Sequence, residues 1–380
     1  MKITGAWLTR PETQAVCAML TGAGYRALVV GGCVRNALLG LAVHDVDIAT
    51  DALPQTVTDL AEAAGLRAVP TGFDHGTVTV VAGGIGHEVT TFRRDVATDG
   101  RRATVAFSTL ISDDAARRDL TVNALYATSA GEVIDPLGAL PDVLARRVRF
   151  VGDAGARITE DRLRILRFFR FHAIYGDPEG GLDPEGLAAC AANADGIEQL
   201  SRERVGVEIA KLLAARDPAP AVAAMARAGI LVRVLPGADP RALAPLVHFE
   251  AGLAPRWQRR LAVLGGQDVA QRLRLARKDA AALAEVRAEI GALRTPAELG
   301  YRHGAALATD IVLARAAVLA VPPPAGWSGD IARGAAAEFP LAAADLMPAL
   351  HGPALGARLK ALESRWIDSG FALSRAQLLA

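Results

Sequence analysis

Cysteine is scarce in this chain. Cys17, Cys33 and Cys190 are the only three among 380 residues, too few and too scattered for a disulfide framework or a cysteine metal site, which fits a reducing cytoplasm. Charge of one sign is also missing. With 42 basic against 41 acidic residues the formal net charge is +1, so the chain as a whole carries no nucleic-acid signature and any such signal must be local. Long apolar runs are absent too. No stretch approaches the ~18 residues of a membrane span, and Met1-Lys2-Ile3-Thr4-Gly5-Ala6-Trp7 lacks the apolar core of a signal peptide. The positive mean hydropathy comes largely from alanine, which points to helix rather than membrane. A chain of this length is enough for two to four compact units.

What is present concentrates near the N-terminus. Leu28 to Val30 reads as a buried strand, Gly31-Gly32 as a tight turn, Val34 to Leu39 as a short helix and Gly40 as its stop. Glycines without β-carbons let backbone N–H groups approach an anion, and a helix behind them adds the positive end of its dipole. Arg35 sits in the first turn of that helix, placed to fork onto phosphate oxygens. Asp45-Val46-Asp47-Ile48 follows. On a strand, Asp45 and Asp47 share one face, ~7 Å apart, while Val46 and Ile48 enter a core. Such a pair repels itself unless a cation lies between. Mg²⁺ suits it, because that ion is held by one or two carboxylates and by substrate phosphates. Taken alone, Gly-Gly is more often a plain turn and Asp-x-Asp a solvated face; their adjacency suggests nucleotidyl transfer from a nucleoside triphosphate.

Thr9 to Ala23 reads as a structural helix, and Thr50 to Pro54 caps another running to about Ala64. Strands follow at Arg67 to Val69, Thr77 to Val81 and Glu88 to Thr91, with His75-Gly76-Thr77 in a turn. Glu88, on a strand expected beside the acid pair, is equally well a third carboxylate or an exposed strand acid. Arg93 to Arg102 is polar and turn-rich, and reads as a mobile loop. The cluster at Arg117-Arg118-Asp119 and Asn123 is compatible with a plain helix start, or with Arg118 on a triphosphate and Asp119 or Asn123 on a ribose hydroxyl.

From Val143 the pattern turns helical. Residues 146–170 hold eight arginines against three acids, a local net of +5. Thr159 opens a helix through Arg170 in which Asp161, Arg164, Arg167 and, more loosely, Arg170 fall three apart on one stripe. A charged stripe is usually a solvated face; this one pairs a carboxylate with guanidinium groups whose planar hydrogen bonds suit base edges and phosphates.

Five motifs then carry a resemblance. Gly-Gly-x-Val-Arg from Gly31, Asp-x-Asp from Asp45, Glu-Val-Thr-Thr-Phe-Arg from Glu88, Arg-Arg-Asp-x-Thr-x-Asn-Ala from Arg117 and Glu-Asp-x-x-Arg from Glu160 occur in one order and spacing. Together with Ser201-Arg202-Glu203-Arg204-Val205, Glu208 and Lys211, the set resembles the class II CCA-adding tRNA nucleotidyltransferase and bacterial poly(A) polymerase family over residues 25–213. The resemblance implies an α+β chain: a nucleotidyltransferase head at 1–142 with a mainly antiparallel β-sheet and flanking helices, then an all-α neck at 143–215, body at 216–321 and tRNA-binding tail at 322–380. It implies metal on Asp45 and Asp47, for which Mg²⁺ is expected, catalytic support from Glu88, nucleotide contacts from Gly32, Arg35 and Arg118, and base reading by Asp161 and Arg164; Gly31, Asp119, Asn123, Arg167 and Arg170 join the candidate nucleotide contacts on the residue pattern above. Asn36 departs from the pattern, standing where the family commonly has aspartate, and no ionic role is carried over to it.

The leading expectation is template-independent addition of CCA to tRNA from CTP and ATP, in the cytoplasm, with no membrane and no protein partner implied. Its rivals are a poly(A) polymerase, a partial CC- or A-adding enzyme and, in a different class, a non-catalytic RNA-binding scaffold, for which erosion of the acid pair is expected. Beyond Ala214, seven basic residues between Arg256 and Lys278 face only Asp268, a second patch of net +6 open to RNA phosphates or to solvent. Val321 to Gly326, with three consecutive prolines, reads as a linker. Gly352-Pro353-Ala354-Leu355-Gly356, opening a helix, is a further candidate phosphate contact. His248, His303 and His351 form no His-Asp phosphohydrolase motif, so no second enzymatic domain is expected.

Overall fold

A computed structural model describes the chain apart from residues 100, 101 and 348; for 95–104 it describes backbone only. Two compact units emerge, Met1–Val234 and Leu235–Ala380. The expected head and neck both lie in the first.

The first unit is built on a seven-stranded sheet. Its strands are β1 (Leu28–Val30), β2 (Asp47–Thr50), β3 (Arg67–Gly72), β4 (Thr77–Ala82), β5 (Ile85–Thr91), β8 (Tyr126–Thr128) and β9 (Val133–Ile134), in the order β3-β4-β5-β2-β1-β8-β9. Every neighbouring pair is antiparallel except β2 and β5, so the sheet is mainly antiparallel as expected. Alternation explains the strands: Val78, Val80 and Ala82 of β4 are buried while the residues between them are partly exposed. Leu28, Val30, Ala49, Phe92, Ala124 and Tyr126 pack into a core on which Ile111 and Ile134 close.

Several local readings change. The helix expected over Thr9 to Ala23 forms as Pro11–Gly22, starting at Pro11 after extended Arg10, and a separate short helix, Ala6–Thr9, precedes it. The helix Pro54–Ala63 has no side-chain cap; Thr50 instead accepts from the Ala52 N–H. Arg93 to Arg102 is not a plain loop. It belongs to a hairpin of β6 (Arg93–Asp99) and β7 (Arg102–Phe107), a separate two-stranded sheet whose tip, at 100 and 101, lies outside the described residues. The single helix expected over Thr159 to Arg170 is also two, Ala154–Glu160 and Leu163–Tyr175. They are separated at Asp161, whose φ of −150° and ψ of 107° are extended.

The second unit is helical. Its longest helical run, Pro296–Leu319, is broken by a kink at Gly304 (φ 74°, ψ 166°) and packs along Trp327–Ala335. Glycines allow the approach: a β-carbon on Gly334 would lie 1.8 Å from the Ala297 carbonyl oxygen, and one on Gly300 2.3 Å from that of Ile331. Trp366, Leu362, Ile367, Leu341 and Leu378 form a further core. The second basic patch is not all surface. Arg259 and Arg260, each 1% exposed, are ion-paired with Glu250, and Arg259 also with Asp310.

Candidate nucleotidyltransferase site

The glycine corner connects β1 to the helix Gly32–Leu38. Gly31 has φ 71°, which an L side chain resists, and a β-carbon there would meet Arg118 Nη1 at 3.3 Å. Its own N–H donates to the Leu125 carbonyl at 3.0 Å. Gly31 thus turns the chain and makes room, but its amide is already used and is not open to an anion as expected. Cys33, in the same corner, is inert: burial, then the charge of Asp47, pushes its thiol up to about 11.

Three carboxylates gather on the adjoining sheet face. Asp45 lies just before β2 rather than on it, yet the alternation holds, with Val46 and Ile48 buried and both aspartates exposed. Parallel pairing puts Asp47 in register with Glu88 of β5, which places the two side chains on one face. Asp47 records the crowding. Loss of surrounding water, then the charges of Glu88 and Asp45, push its carboxyl up to about 6 against the pull of Arg118. Among the described residues no three His, Cys, Asp or Glu side chains meet in ligand geometry. The donor set still fits a divalent cation: two exposed, mutually repelling aspartates of hard oxygen character need a positive partner and leave coordination positions to water and phosphate.

The basic groups sit behind. Arg118 donates to Asp114 at 2.9 Å, to the Asn123 carbonyl at 3.2 Å and to the Tyr126 hydroxyl at 3.2 Å. Burial pushes Asp114 up, but Arg118, Arg117 and the Tyr126 hydroxyl outweigh it and hold the carboxyl below its usual range. Asp119 is likewise held low: burial is overcome by Arg167, at 2.6 Å, with Asn123 and the Leu120 N–H also donating. Asn123 donates to Asp119 and accepts from Arg35 at 2.5 Å. Asp119 and Asn123 are therefore braces for Arg167 and Arg35, with their polar atoms turned inward.

The helix break leaves Asp161 before the helix that carries Arg164, Arg167 and Arg170 at their three-residue spacing. Asp161 accepts from Arg204 at 2.6 Å and from the Leu163 N–H at 3.1 Å, a local turn between the two helices. Arg164 pairs with Glu160 and donates to the Arg157 carbonyl at 2.8 Å. Arg170 pairs with Glu208 at 2.6 Å. Sequence reasoning overlooked Asp114, Tyr126 and Tyr175. Asp114 was findable from its i,i+4 spacing to Arg118; the tyrosines had no local signal.

Residues 27–149 match the poly A polymerase head domain, and residues 181–241 the probable RNA- and SrmB-binding site of polymerase A. The matched segments are thus similar to the head and RNA-binding regions of polymerase A. Similar to it are the human mitochondrial CCA tRNA nucleotidyltransferase 1, 44% identical over 49% of this chain and 43% of that one, and the CCA-adding enzyme of Leuconostoc citreum, 39% identical over 60% and 55%. The chain spans about half the length of the curated relatives it matches. Among solved structures, the Bacillus stearothermophilus CCA-adding enzyme in complex with CTP is 29% identical, with a TM-score of 0.75 over 95% of this chain and 94% of that one. The family's head thus coincides with the glycine corner, the acid face and Arg118. No helix among the described residues is long and apolar enough to cross a membrane, and all three cysteines are free and buried.

Proposed function

We propose that this protein adds C, C and A to tRNA 3′ ends without a nucleic-acid template, using CTP and ATP with Mg²⁺ in the cytoplasm and releasing pyrophosphate. The observation that carries the reading is the register of Asp47 with Glu88, which sets three carboxylates beside the glycine corner. The names of the relatives and the CTP complex of a structural neighbour support it.

Asp45 and Asp47 would hold the divalent cation, which when bound lowers the barrier to attack on the α-phosphate by screening its charge. Glu88 keeps the face acidic beside them. Gly31 clears the space that Arg118 enters, Gly32 opens the following helix, and Arg35 and Arg118 orient the triphosphate. Asn123 braces Arg35 and Arg118, and Asp119 braces Arg167. Asp161 and Arg164 read the base once Arg204 and Glu160 yield them, while Arg167 and Arg170 tie the reading helix to Asp119 and Glu208. We assign 1–142 to the head, 143–215 to the neck, 216–321 to the body and 322–380 to a tRNA-binding tail; the body so drawn crosses the boundary of the compact units after Val234.

Purified protein with Mg²⁺ is given tRNA lacking CCA, tRNA ending in CC, or unstructured RNA, each with labelled CTP or ATP. Addition of two C to the first and one A to the second is expected; long A tails on unstructured RNA would identify a poly(A) polymerase instead. Asp45→Ala and Asp47→Ala should each abolish incorporation without lowering stability, and Asp47→Ala should raise it at pH 7, because the charge it removes is held against desolvation and the repulsion of Glu88 and Asp45. Near-normal turnover in either variant removes the acid face from the chemistry.

A further inference from the structure

The arginines around the site differ in one respect. Arg118, Arg164, Arg167 and Arg170 each contact a carboxylate, namely Asp114, Glu160, Asp119 and Glu208. Arg35 does not. At 5% exposure it is held among the described residues by neutral groups alone. Its Nε and Nη2 donate to Asn36 Oδ1 at 3.2 and 2.9 Å, its Nη1 to Asn123 Oδ1 at 2.5 Å, and Nη2 also to the Tyr175 hydroxyl at 2.8 Å. The guanidinium carbon lies 3.8 Å from the Tyr175 ring centroid, and Phe171 approaches from 5.3 Å. The Asn36 amide is oriented, because its Nδ2 donates to the Ala42 carbonyl at 2.8 Å and so leaves Oδ1 to Arg35.

An amide oxygen grips a guanidinium more weakly than a carboxylate does, so an arginine without an ion pair needs other restraints to keep one orientation. A stacked ring with a hydroxyl supplies both a plane and a direction. Tyr175 comes from the last turn of the helix Leu163–Tyr175, 140 residues from Arg35. On the other side, Nη2 lies 3.6 Å from where a β-carbon of Gly32 would be, so the guanidinium is aimed at the glycine corner.

We propose that Tyr175 is a positioning residue: with Asn36 it holds the Arg35 guanidinium in place through neutral contacts, so that no carboxylate occupies it and it stays available to the nucleotide's phosphates. This rests on the reading of Arg35 given under Proposed function. The neutral clamp makes Tyr175 matter more than it would beside a carboxylate at position 36.

Steady-state CTP incorporation into tRNA lacking CCA tests it, with melting temperature measured for every variant. Tyr175→Leu, which loses ring and hydroxyl, should raise the KM for CTP ~10-fold with kcat within about twofold. Tyr175→Phe, which keeps the ring, should raise it only about threefold. In an Asn36→Asp background, where a carboxylate grips Nε and Nη2, the Tyr175→Leu penalty should shrink to about threefold or less. Arg35→Ala serves as the reference. If it raises KM while both Tyr175 variants leave KM unchanged, the positioning role falls and the reading of Arg35 survives. If Arg35→Ala leaves KM unchanged, that reading falls and this inference with it. A Tyr175→Leu penalty undiminished by Asn36→Asp, or one appearing in kcat or folding alone, also overturns the proposal; should Tyr175→Leu not fold, the KM of Tyr175→Phe decides.

Discussion

Asp114 anchors the basic side of the site from a position 1% exposed, accepting from Arg117, Arg118 and the Tyr126 hydroxyl. Breaking a buried pair strands its partners, so Asp114→Ala should cost roughly 3–5 kcal/mol, read by urea unfolding at pH 7. The pH sign follows from the direction of the shift. Its native pKa is depressed, so the stabilisation is fully present above the unfolded value of about 3.9 and is lost as pH falls through the lower native one. Melting temperature between about pH 4 and 2 should therefore fall less steeply in Asp114→Asn than in the parent. Equal acid limbs would mean that the depression is absent. Asp161 carries a second prediction. Cytosine and adenine both set an amine donor beside a ring acceptor, whereas uracil and guanine would oppose a carbonyl to the Asp161 carboxylate, at a cost of roughly 1–3 kcal/mol. Asp161→Ala should thus relax rejection of UTP and GTP by about ten- to a hundredfold while slowing CTP incorporation less. Single-turnover rates with all four nucleotides measure this, and unchanged selectivity would leave the segment as a phosphate contact only.

At the scale of elements, two readings failed for the same reason. Helical periodicity runs unbroken through Thr159 to Arg170, but periodicity counts side chains and cannot register that the backbone turns extended at Asp161, whose carboxylate accepts the Leu163 N–H between the two helices. The polar stretch at Arg93 to Arg102 contains Asp99-Gly100, a pair that favours hairpin turns as readily as loops. Backbone pairing of Arg93 with Phe107 and of Asp99 with Arg102 decided for the hairpin. A hairpin is a lever whose tip can be exchanged without unthreading the sheet. Replacing 99–102, part of which lies outside the described residues, by a Gly-Ser turn should spare CTP addition and impair ATP addition on tRNA ending in CC. Equal loss of both would make it a general folding element.

For the molecule as a whole, the second unit depends on two backbone contacts that tolerate no β-carbon. Gly334→Ala drives a methyl onto the Ala297 carbonyl and should destabilise by roughly 2–3 kcal/mol. The substitution lies far along the chain from the nucleotide corner. Calorimetry should show a lowered melting transition while CTP binding at 25 °C, by titration, is unchanged; a parallel loss of CTP affinity would mean that the corner needs the second unit intact.

Local chemistry alone determined the strand, glycine turn and short helix at Leu28 to Leu38, the exposed and buried alternation from Asp45 to Ile48, and the order of the five motifs that carry the resemblance. These depend on neighbours a few residues apart, which a sequence displays directly. What only the tertiary structure decided is partnership. Parallel pairing of β2 with β5 set Glu88 beside Asp47, folding put Arg259 and Arg260 into a buried ion-pair cluster instead of a basic surface, and 140 residues separate Arg35 from the tyrosine that clamps it. A guanidinium reads the same in every sequence. Whether it meets a carboxylate, an amide or a ring depends on which distant segments the core brings together.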